Sequence, residues 1–268
     1  MVGFVADGDA VNAAGKSGQT PALVVNPQTH EPWVALTQNN QVMVNRFITA
    51  TKTWTQQGGV LNFNVANTAT QPSLAFASTS PNTPWVAWSE NISGAARILA
   101  ARLDGQQWTF AGELVKTVPS LNQPDVKFVY DPVIAVGAPI TGEAPLPWVA
   151  WGEGNGFLGH LEVRRAVSDV TALGGLRWQP VITPTSPSIA YKPDLVFSGP
   201  DNRIPWLVWS TNNDVGFAQV FAARALSDTT VDGGFRWERV NTQANCEQVA
   251  PSSDCPLNLT GGVANGIR

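Results

Sequence analysis

The chain has 268 residues, of which 43% are hydrophobic and 13% charged, and its formal net charge is −4. Because this acidic balance comes with no cluster of basic residues, we expect no nucleic-acid partner. No apolar stretch reaches the roughly 20 residues that cross a bilayer, so we also expect no membrane insertion. The N-terminus lacks the pattern of a signal peptide.

Residues 1–8 come before the first full repeat. Phe4 precedes Pro21 by 17 residues, much as Trp54 precedes Pro72 by 18. This spacing predicts that residues 1–8 are a spare strand, the closing strand of an earlier unit.

A four-part unit then recurs over about residues 21–66, 72–118, 124–187 and 193–240. Its most regular part is a tryptophan phrase, Pro-Trp-Val-Ala-Leu or a close variant, at 32–36, 84–88, 147–151 and 205–209. Each unit opens on a proline that begins a short apolar run: Pro21, Pro72, Pro124 and Pro193. A third run ends in an arginine: Arg46, Arg102, Arg165 and Arg224. A lone tryptophan closes each unit: Trp54, Trp108, Trp178 and Trp237.

These short apolar runs, bounded by Pro, Gly, Asn and Ser, predict strands rather than helices. Residues 95–103 are rich in Ala, Leu and Arg, but the equivalent runs in other units favour a strand there too. Four strands in each repeated unit are typical of a β-propeller blade. Trp85 and Trp88 point to opposite faces of a strand because they are three residues apart, which predicts cover on both faces by neighbouring blades.

We therefore predict a single all-β domain over residues 1–268, a propeller of four-stranded antiparallel blades. Four blades are evident from the repeats. The spare strand in front and the tail behind leave three arrangements open: a fifth composite blade, a piece of a larger ring, or a part completed by another copy. An exposed end blade favours self-association or contact with neighbouring repeats of a longer chain.

Residues 241–268 form a tail that contains the two cysteines of the chain, Cys246 and Cys255. We predict that they form a disulfide, with two free thiols as the alternative, and a disulfide favours an extracellular or cell-surface location. Two cysteines without histidine neighbours do not make a four-ligand zinc site. We predict no metal and no cofactor.

The third and fourth units carry a further motif. Ser168-Asp169 precedes Gly174-Gly175-Leu-Arg-Trp178, and Ser227-Asp228 precedes Gly233-Gly234-Phe-Arg-Trp237. This pattern resembles a stretched Asp-box, the turn between the third and fourth strands of sialidase-like propellers, and the repeat is similar to repeats of large bacterial extracellular and surface proteins. The resemblance implies a propeller fold. It does not imply sialidase activity. Catalysis in that family needs an arginine triad, a Tyr–Glu nucleophile pair and an acid Asp, whereas this chain has only two tyrosines, Tyr130 and Tyr191, and no Phe-Arg-Ile-Pro segment.

Candidate ligand-binding residues come from the recurrent arginines and from the loops after the tryptophan phrase. A glutamate that ends the second strand and an arginine that ends the third can pair across the ladder, and such a pair either ties the structure together or binds sugar hydroxyls beside an aromatic ring. Asn-rich loops on a rigid scaffold are frequent recognition points. The predicted set is Glu90, Asn91, Arg102, Glu153, Asn155, Arg165, Asn212, Asp214 and Arg224.

The leading functional hypothesis is a non-catalytic, lectin-like propeller that binds glycans. His30 and His160 lie in no recognisable nucleophile motif, so we predict that the protein is not an enzyme. One alternative is a structural or protein-binding segment of a larger surface protein. The other is a glycoside hydrolase, which needs two carboxylates about 5–9 Å apart; Glu90, Glu153, Asp125 and Asp194 are the carboxylates considered. Two carboxylates facing a polar central cleft would favour this second alternative.

Overall fold

The computed structural model describes residues 10–77, 82–115, 117–123, 126–154, 159–184, 190–199, 203–212 and 218–240. These residues form sixteen β-strands and one short 3-10 helix, Asp232–Gly234. Among them there is no helix with the length and apolar character needed to span a bilayer. The prediction of an all-β fold is confirmed, including a strand rather than a helix at Ala95–Asp104.

The strands group into four separate antiparallel sheets of four, which we call blades 1 to 4. Blade 1 consists of β1 (Gly18–Val25), β2 (Pro32–Gln38), β3 (Gln41–Ile48) and β4 (Thr53–Gln56). Blade 2 consists of β5 (Thr68–Phe76), β6 (Pro84–Ile92), β7 (Ala95–Asp104) and β8 (Gln107–Phe110). Blade 3 consists of β9 (Phe128–Gly137), β10 (Leu146–Gly154), β11 (Gly159–Ser168) and β12 (Leu176–Pro180). Blade 4 consists of β13 (Ala190–Ser198), β14 (Ile204–Asn212), β15 (Ala218–Ser227) and β16 (Phe235–Arg239).

Apolar clusters lie between consecutive blades. One joins blades 1 and 2, a second joins blades 2 and 3, and a third joins blades 3 and 4. Trp88 packs in the first of these clusters and Trp85 in the second, so the two tryptophans of one strand point to opposite faces, as predicted. Burying each of these rings stabilises the fold by a few kcal/mol from its apolar area alone, about 25 cal/mol per Å².

In blades 2 and 3, the tryptophan that closes the unit also joins its blade to the one before. The indole nitrogen of Trp108 in blade 2 donates to the Gln57 carbonyl, just after the last strand of blade 1, at 2.9 Å. Trp178 in blade 3 donates to the Ala111 carbonyl, at the same place in blade 2, also at 2.9 Å. The next residue is a glycine in both cases, and a Cβ at Gly112 would lie 2.6 Å from the Trp178 ring.

The third unit begins later than predicted. We placed its first strand at the run that starts at Pro124 and treated residues 131–146 as an insertion. The structure instead has β9 at Phe128–Gly137, so the proline that matches Pro21, Pro72 and Pro193 is Pro132. Residues 124 and 125 lie outside the described residues.

All four first strands contain the same irregularity. Their pairing with the second strand shifts register at the repeat proline, between Gln19 and Ala22, Thr70 and Ser73, Tyr130 and Val133, and Tyr191 and Asp194. Such a β-bulge turns a side chain away from the regular alternation and is frequent next to active sites.

Blades 1 and 4 are the ends of the described series. Leu23 and Val25 on β1 are 65% and 54% exposed, and Val196 on β13 is 52% exposed. Among the described residues, no buried apolar cluster joins blade 4 to blade 1. The predicted spare strand at residues 1–8, the tail at 241–268 and the Cys246–Cys255 pair lie outside the described residues, so the number of blades in the ring stays a prediction.

Candidate functional site

The first strands of all four blades wall a central cavity with a volume of about 850 Å³. The wall is formed by residues 20–25 and 27, 71–76, 131–136 and 192–197. Prolines and aliphatic side chains make up most of this wall. The polar and charged groups concentrate at the end where the bulges lie, which we call the bulge end.

One residue in each bulge comes directly before the repeat proline and has a positive φ. These four residues are Thr20, Gln71, Asp131 and Lys192, with φ between 45° and 53°. Residues other than glycine rarely adopt this conformation, and a residue before proline is normally extended. Because such strained positions cluster at binding and catalytic sites, the ring of four bulge residues is the strongest candidate site.

Asp131 connects three blades at the bulge end. Its Oδ1 accepts a hydrogen bond from the side-chain amide of Gln71 in blade 2, at 2.7 Å. Its Oδ2 accepts one from the backbone N–H of Lys192 in blade 4, at 3.2 Å. The carboxylate is half-buried and held from both sides, so its orientation in the cavity is fixed.

Asp194 is a second carboxylate of the cavity wall. It lies two residues beyond Lys192 on β13, and both side chains are exposed. Among the described residues, no hydrogen bond or ion pair of the Asp194 carboxylate is found. At the bulge end, the cavity wall therefore has one fixed carboxylate, one carboxylate without a described partner, and the cationic Lys192.

Three aromatic rings flank this group. Phe128 and Tyr130 are stacked with centroids 6.4 Å apart, and Tyr130 meets Tyr191 of blade 4 at 5.5 Å. Phe128 is exposed and the two tyrosines are half-buried. Burial and the nearby Tyr191 raise the pKa of Tyr130, so its phenol stays neutral. Aromatic faces of this kind are suited to contact with the apolar face of a sugar.

The four recurrent arginines lie at the other end of the blades, which we call the arginine end. Each pairs across the ladder with the first tryptophan of the phrase in its own blade. Each has polar partners there: Glu31 for Arg46, Asp104 for Arg102, Gln179 and Glu143 for Arg165, and Glu238 for Arg224. Burial lowers the pKa of Arg165. The structural interpretation expected arginine ties between neighbouring blades, but these polar contacts each lie within a single blade.

The predicted pairing of the arginines with Glu90 or Glu153 is wrong. Glu90 lies opposite Arg97, and Glu153 lies opposite His160, because both glutamates are at the bulge end. From Trp85, the cross-strand partner of Arg102, to Glu90 is five residues, about 16 Å along the strand. The charged members of the predicted ligand set that the structure describes thus fall into two groups at opposite ends of the blades.

Glu90 is a structural residue rather than a ligand contact. It is 0% exposed. Its Oε2 accepts hydrogen bonds from the Phe63 N–H and the Trp88 indole, and its Oε1 accepts them from the Asn64 N–H and the Asn67 amide. Four hydrogen bonds offset the cost of burying the charge and tie β6 to the segment between blades 1 and 2.

Glu153 occupies the same position in blade 3 but has fewer partners. Its Oε2 accepts a hydrogen bond from the Trp151 indole at 2.8 Å, and burial raises the pKa of the carboxyl. Its Oε1 faces His160, 3.5 Å from Nε2, and His160 also contacts Glu162 at 2.8 Å. One imidazole and two carboxylates are the kind of group that can hold a metal ion.

The remaining predicted ligand residues are not tested. Asn91 is exposed, and its side chain accepts a hydrogen bond from the Gly94 N–H within the same hairpin. Asn155 and Asp214 lie outside the described residues, as does the side chain of Asn212. The extracellular location also stays a prediction.

The segments that resemble Asp-boxes are hairpin loops between the third and fourth strands. Asp169 accepts hydrogen bonds from the hydroxyl and the N–H of Thr171, and Asp228 does the same with Thr230. These bonds lower the pKa of both carboxyls. The two segments are therefore turn elements. A likeness to sialidases in particular is not confirmed.

Asp131, Gln71 and Lys192 were missed as site residues. The misplaced start of the third unit put Asp131 in an insertion, and nothing in a single strand marks the residue before a proline as functional. The spacing to the tryptophan phrase gave a usable signal: Pro132 precedes Pro147 by 15 residues, whereas the other units have 11 or 12 and Pro124 has 23. With Pro132 as the repeat proline, the position directly before it holds a chemically different residue in each unit: Thr20, Gln71, Asp131 and Lys192.

No protein-family model matches the chain, and no curated protein sequence does either. Several solved structures do. An α-L-arabinanase from Penicillium chrysogenum, complexed with arabinobiose, has a TM-score of 0.52 and 14% identity over 85% of this chain and 67% of its own. A glycosyl hydrolase from Bacteroides ovatus has a TM-score of 0.46, with 12% identity over 84% and 70%. An endo-arabinase from Bacteroides thetaiotaomicron has a TM-score of 0.44, with 13% identity over 83% and 81%.

The likeness to the Penicillium arabinanase is one of fold, and it confirms that the four sheets are propeller blades. It also corrects one functional prediction. We predicted that the protein is not an enzyme, but the Penicillium structure of similar fold is named as an arabinanase. The prediction of a non-catalytic module does not stand.

Proposed function

We propose that the protein is a glycoside hydrolase whose active site lies at the bulge end of the central cavity. The observation that carries this proposal is the presence of Asp131 and Asp194 in one cavity wall, on neighbouring first strands. Hydrolysis of a glycosidic bond uses two such groups, one to protonate the leaving oxygen and one to attack or to activate water.

Asp131 is assigned the role of the nucleophile or base. Hydrogen bonds from Gln71 and from the Lys192 backbone hold its carboxylate in one orientation, and a fixed reacting group gains from proximity and alignment. The strained backbone at Asp131 is consistent with this role, because the bulge sets where the carboxylate points.

Asp194 is assigned the role of the general acid. It lines the same cavity from the neighbouring first strand, two residues beyond Lys192, whose backbone N–H donates to Asp131, and the proposal requires the two carboxylates to come roughly 5–9.5 Å apart on the substrate. Lys192 lines the same cavity as the two carboxylates. Its positive charge is placed to bind sugar hydroxyls and to offset the two negative charges.

The surroundings suit a sugar chain. The cavity of about 850 Å³ is within the usual size of a ligand site, roughly 300–1,000 Å³. The aliphatic wall and the Phe128, Tyr130 and Tyr191 rings supply apolar faces for stacking. Arabinan is the first substrate to test, since the Penicillium protein of similar fold is an arabinanase.

The test is hydrolysis of arabinan, arabino-oligosaccharides and a panel of other plant polysaccharides, with released sugars measured by anion-exchange chromatography. Asp131→Asn and Asp194→Asn should each lower turnover by about a hundred- to ten-thousand-fold, the usual worth of an acid or base. Asp194→Asn should leave the melting temperature unchanged, and Asp131→Asn should lower it slightly, because one of the two hydrogen bonds to its carboxylate is lost. Asp104→Asn is the matched control, an exposed carboxylate at the arginine end, and should leave turnover unchanged.

Two results would overturn the proposal. One is the absence of hydrolysis by the native chain across the whole panel, although the protein is folded. The other is hydrolysis that persists at the native rate in Asp131→Asn.

A further inference from the structure

Blade 3 breaks the repeat pattern at the bulge end of its second and third strands. Glu153 on β10 lies opposite His160 on β11, and Trp151 lies opposite Glu162. The position of Glu162 is taken by a large apolar side chain in each other blade: Met43, Leu99 and Phe221. A charged residue has replaced an apolar one in this blade, next to a histidine that no other blade has.

The three side chains converge. One ligand atom from each of Glu153, His160 and Glu162 lies within 4.8 Å of the other two. The Nε2 atom of His160 is 3.5 Å from Glu153 Oε1 and 2.8 Å from Glu162 Oε1. Ligands of a tetrahedral zinc ion, at about 2.1 Å from the metal, are about 3.4 Å apart, so small side-chain movements would produce that geometry.

Glu153 has an oxygen that lacks a hydrogen bond. The residue is 7% exposed, and Oε2 is satisfied by the Trp151 indole. Among the described residues, Oε1 accepts no hydrogen bond, and His160, Glu162 and Arg164 are the charged groups that act on the carboxylate. In blade 2, the equivalent oxygen of Glu90 receives the Asn64 N–H and the Asn67 amide. A carboxylate that is 7% exposed and lies beside a histidine and a second carboxylate would be stabilised by a cation held among the three groups.

We propose that Glu153, His160 and Glu162 bind a divalent transition metal ion, with zinc as the preferred metal. One imidazole nitrogen and two carboxylate oxygens are a donor set that suits zinc better than calcium or magnesium, which take oxygen ligands. The exposed His160 leaves room for water as a fourth ligand. The ion would join β10 to β11 at the base of their hairpin and stabilise the folded state in proportion to its binding.

Isothermal titration of the tag-free protein with zinc chloride tests the site directly, and cobalt(II) absorption reports the geometry. We expect one zinc per chain with a micromolar or tighter dissociation constant, and a higher melting temperature with zinc. This readout does not depend on hydrolysis, so it can fail or succeed independently of the proposed function.

The repeat supplies variants that are expected to fold. His160→Gln introduces the residue of blade 4, Gln219, and Glu162→Leu introduces that of blade 2, Leu99. Each should weaken zinc binding at least tenfold and abolish the thermal stabilisation by zinc. His30→Gln removes the other histidine of the chain and should leave binding unchanged.

Three outcomes would overturn the site. They are zinc binding in the millimolar range alone, binding that is unchanged in both His160→Gln and Glu162→Leu, and stronger binding of calcium or magnesium than of zinc. Loss of zinc binding in His30→Gln would also contradict the proposed site, because it would show that His30 binds the metal.

Discussion

The two ends of the blades follow opposite rules. At the arginine end, the same residues recur in every blade: an arginine faces a tryptophan, and each arginine has its own partner nearby. At the bulge end, the backbone recurs but the side chains do not, because Thr20, Gln71, Asp131 and Lys192 share one slot and one strained conformation. Residues that recur in every blade are those that each blade needs for its stability. Residues that differ between blades while the backbone conformation stays the same are candidates for the function of the whole molecule.

The largest effect we expect is on stability, from the core that all blades share. Trp148 is 1% exposed and packs between blades 3 and 4 against Phe197 and Phe235. Trp148→Ala should lower the free energy of unfolding by about 3–5 kcal/mol, measured by thermal and chemical denaturation. Trp54→Ala is the control: this ring is half-buried on the outer side of blade 1, and its loss should cost less. An unchanged melting temperature in Trp148→Ala would contradict the assignment of that ring to the core.

A smaller loss should follow from disturbing a contact between blades. Gly112→Ala places a methyl group 2.6 Å from the Trp178 ring at a φ of +129°, and it should cost about 1–3 kcal/mol, as overpacking does. Gly59→Ala is the matched control, because nothing lies within 4 Å of its added Cβ and its φ is not positive. Equal stability of the two variants in denaturation curves would contradict the interblade contact.

The comparison of the two ends is tested most directly by a pair of cations. Lys192→Met, at the bulge end, should lower kcat/KM for the best substrate about tenfold, as loss of one charged contact does, and leave the melting temperature unchanged. Arg102→Met, at the arginine end, should leave kcat/KM unchanged and cost at most about 1 kcal/mol, because the Arg102–Asp104 pair is partly exposed. The reverse pattern would show that the two ends have been assigned the wrong way round.

The smallest effect should come from the hairpin carboxylates, and it depends on pH. Hydrogen bonds from the Thr230 hydroxyl and N–H lower the pKa of Asp228 in the folded state. The stabilisation is therefore complete above the unfolded pKa of about 3.9 and is lost as the pH falls through the lower, folded pKa. Asp228→Ala should be slightly less stable than the native chain at pH 7 and equally stable at pH 2. A difference that persists at pH 2 would argue against this linkage.

Much of the fold could be predicted from the sequence because its signals are repeated. The tryptophan phrase fixed the second strand of each blade, and the pair Trp85 and Trp88 correctly predicted cover on both faces. The error in the third unit arose where the signal was weakest: the first strand has no tryptophan, and Pro124 and Pro132 compete as its start. Spacing to the phrase resolves that competition, whereas composition alone does not.

The site was harder to predict for a physical reason. Glu90 and Arg102 looked like ligand residues because they are charged residues in apolar strands, yet both are satisfied locally, Glu90 by four hydrogen bonds and Arg102 by Asp104. The partners of Glu90 include Phe63, Asn64 and Asn67, which are more than 20 residues away in sequence, and no strand pattern reports such contacts. Asp131 shows the reverse case, since its partners come from blades 2 and 4, about 60 residues away on either side.

The indole contacts of Trp108 and Trp178 have a consequence for biosynthesis. Each reaches backward to a carbonyl that leaves the ribosome earlier in translation. A newly made blade thus meets a finished docking surface, and the chain can assemble by successive addition from its N-terminal side. In blades 2 and 3 the later blade therefore supplies the donor and the earlier blade the acceptor of the bond that joins them.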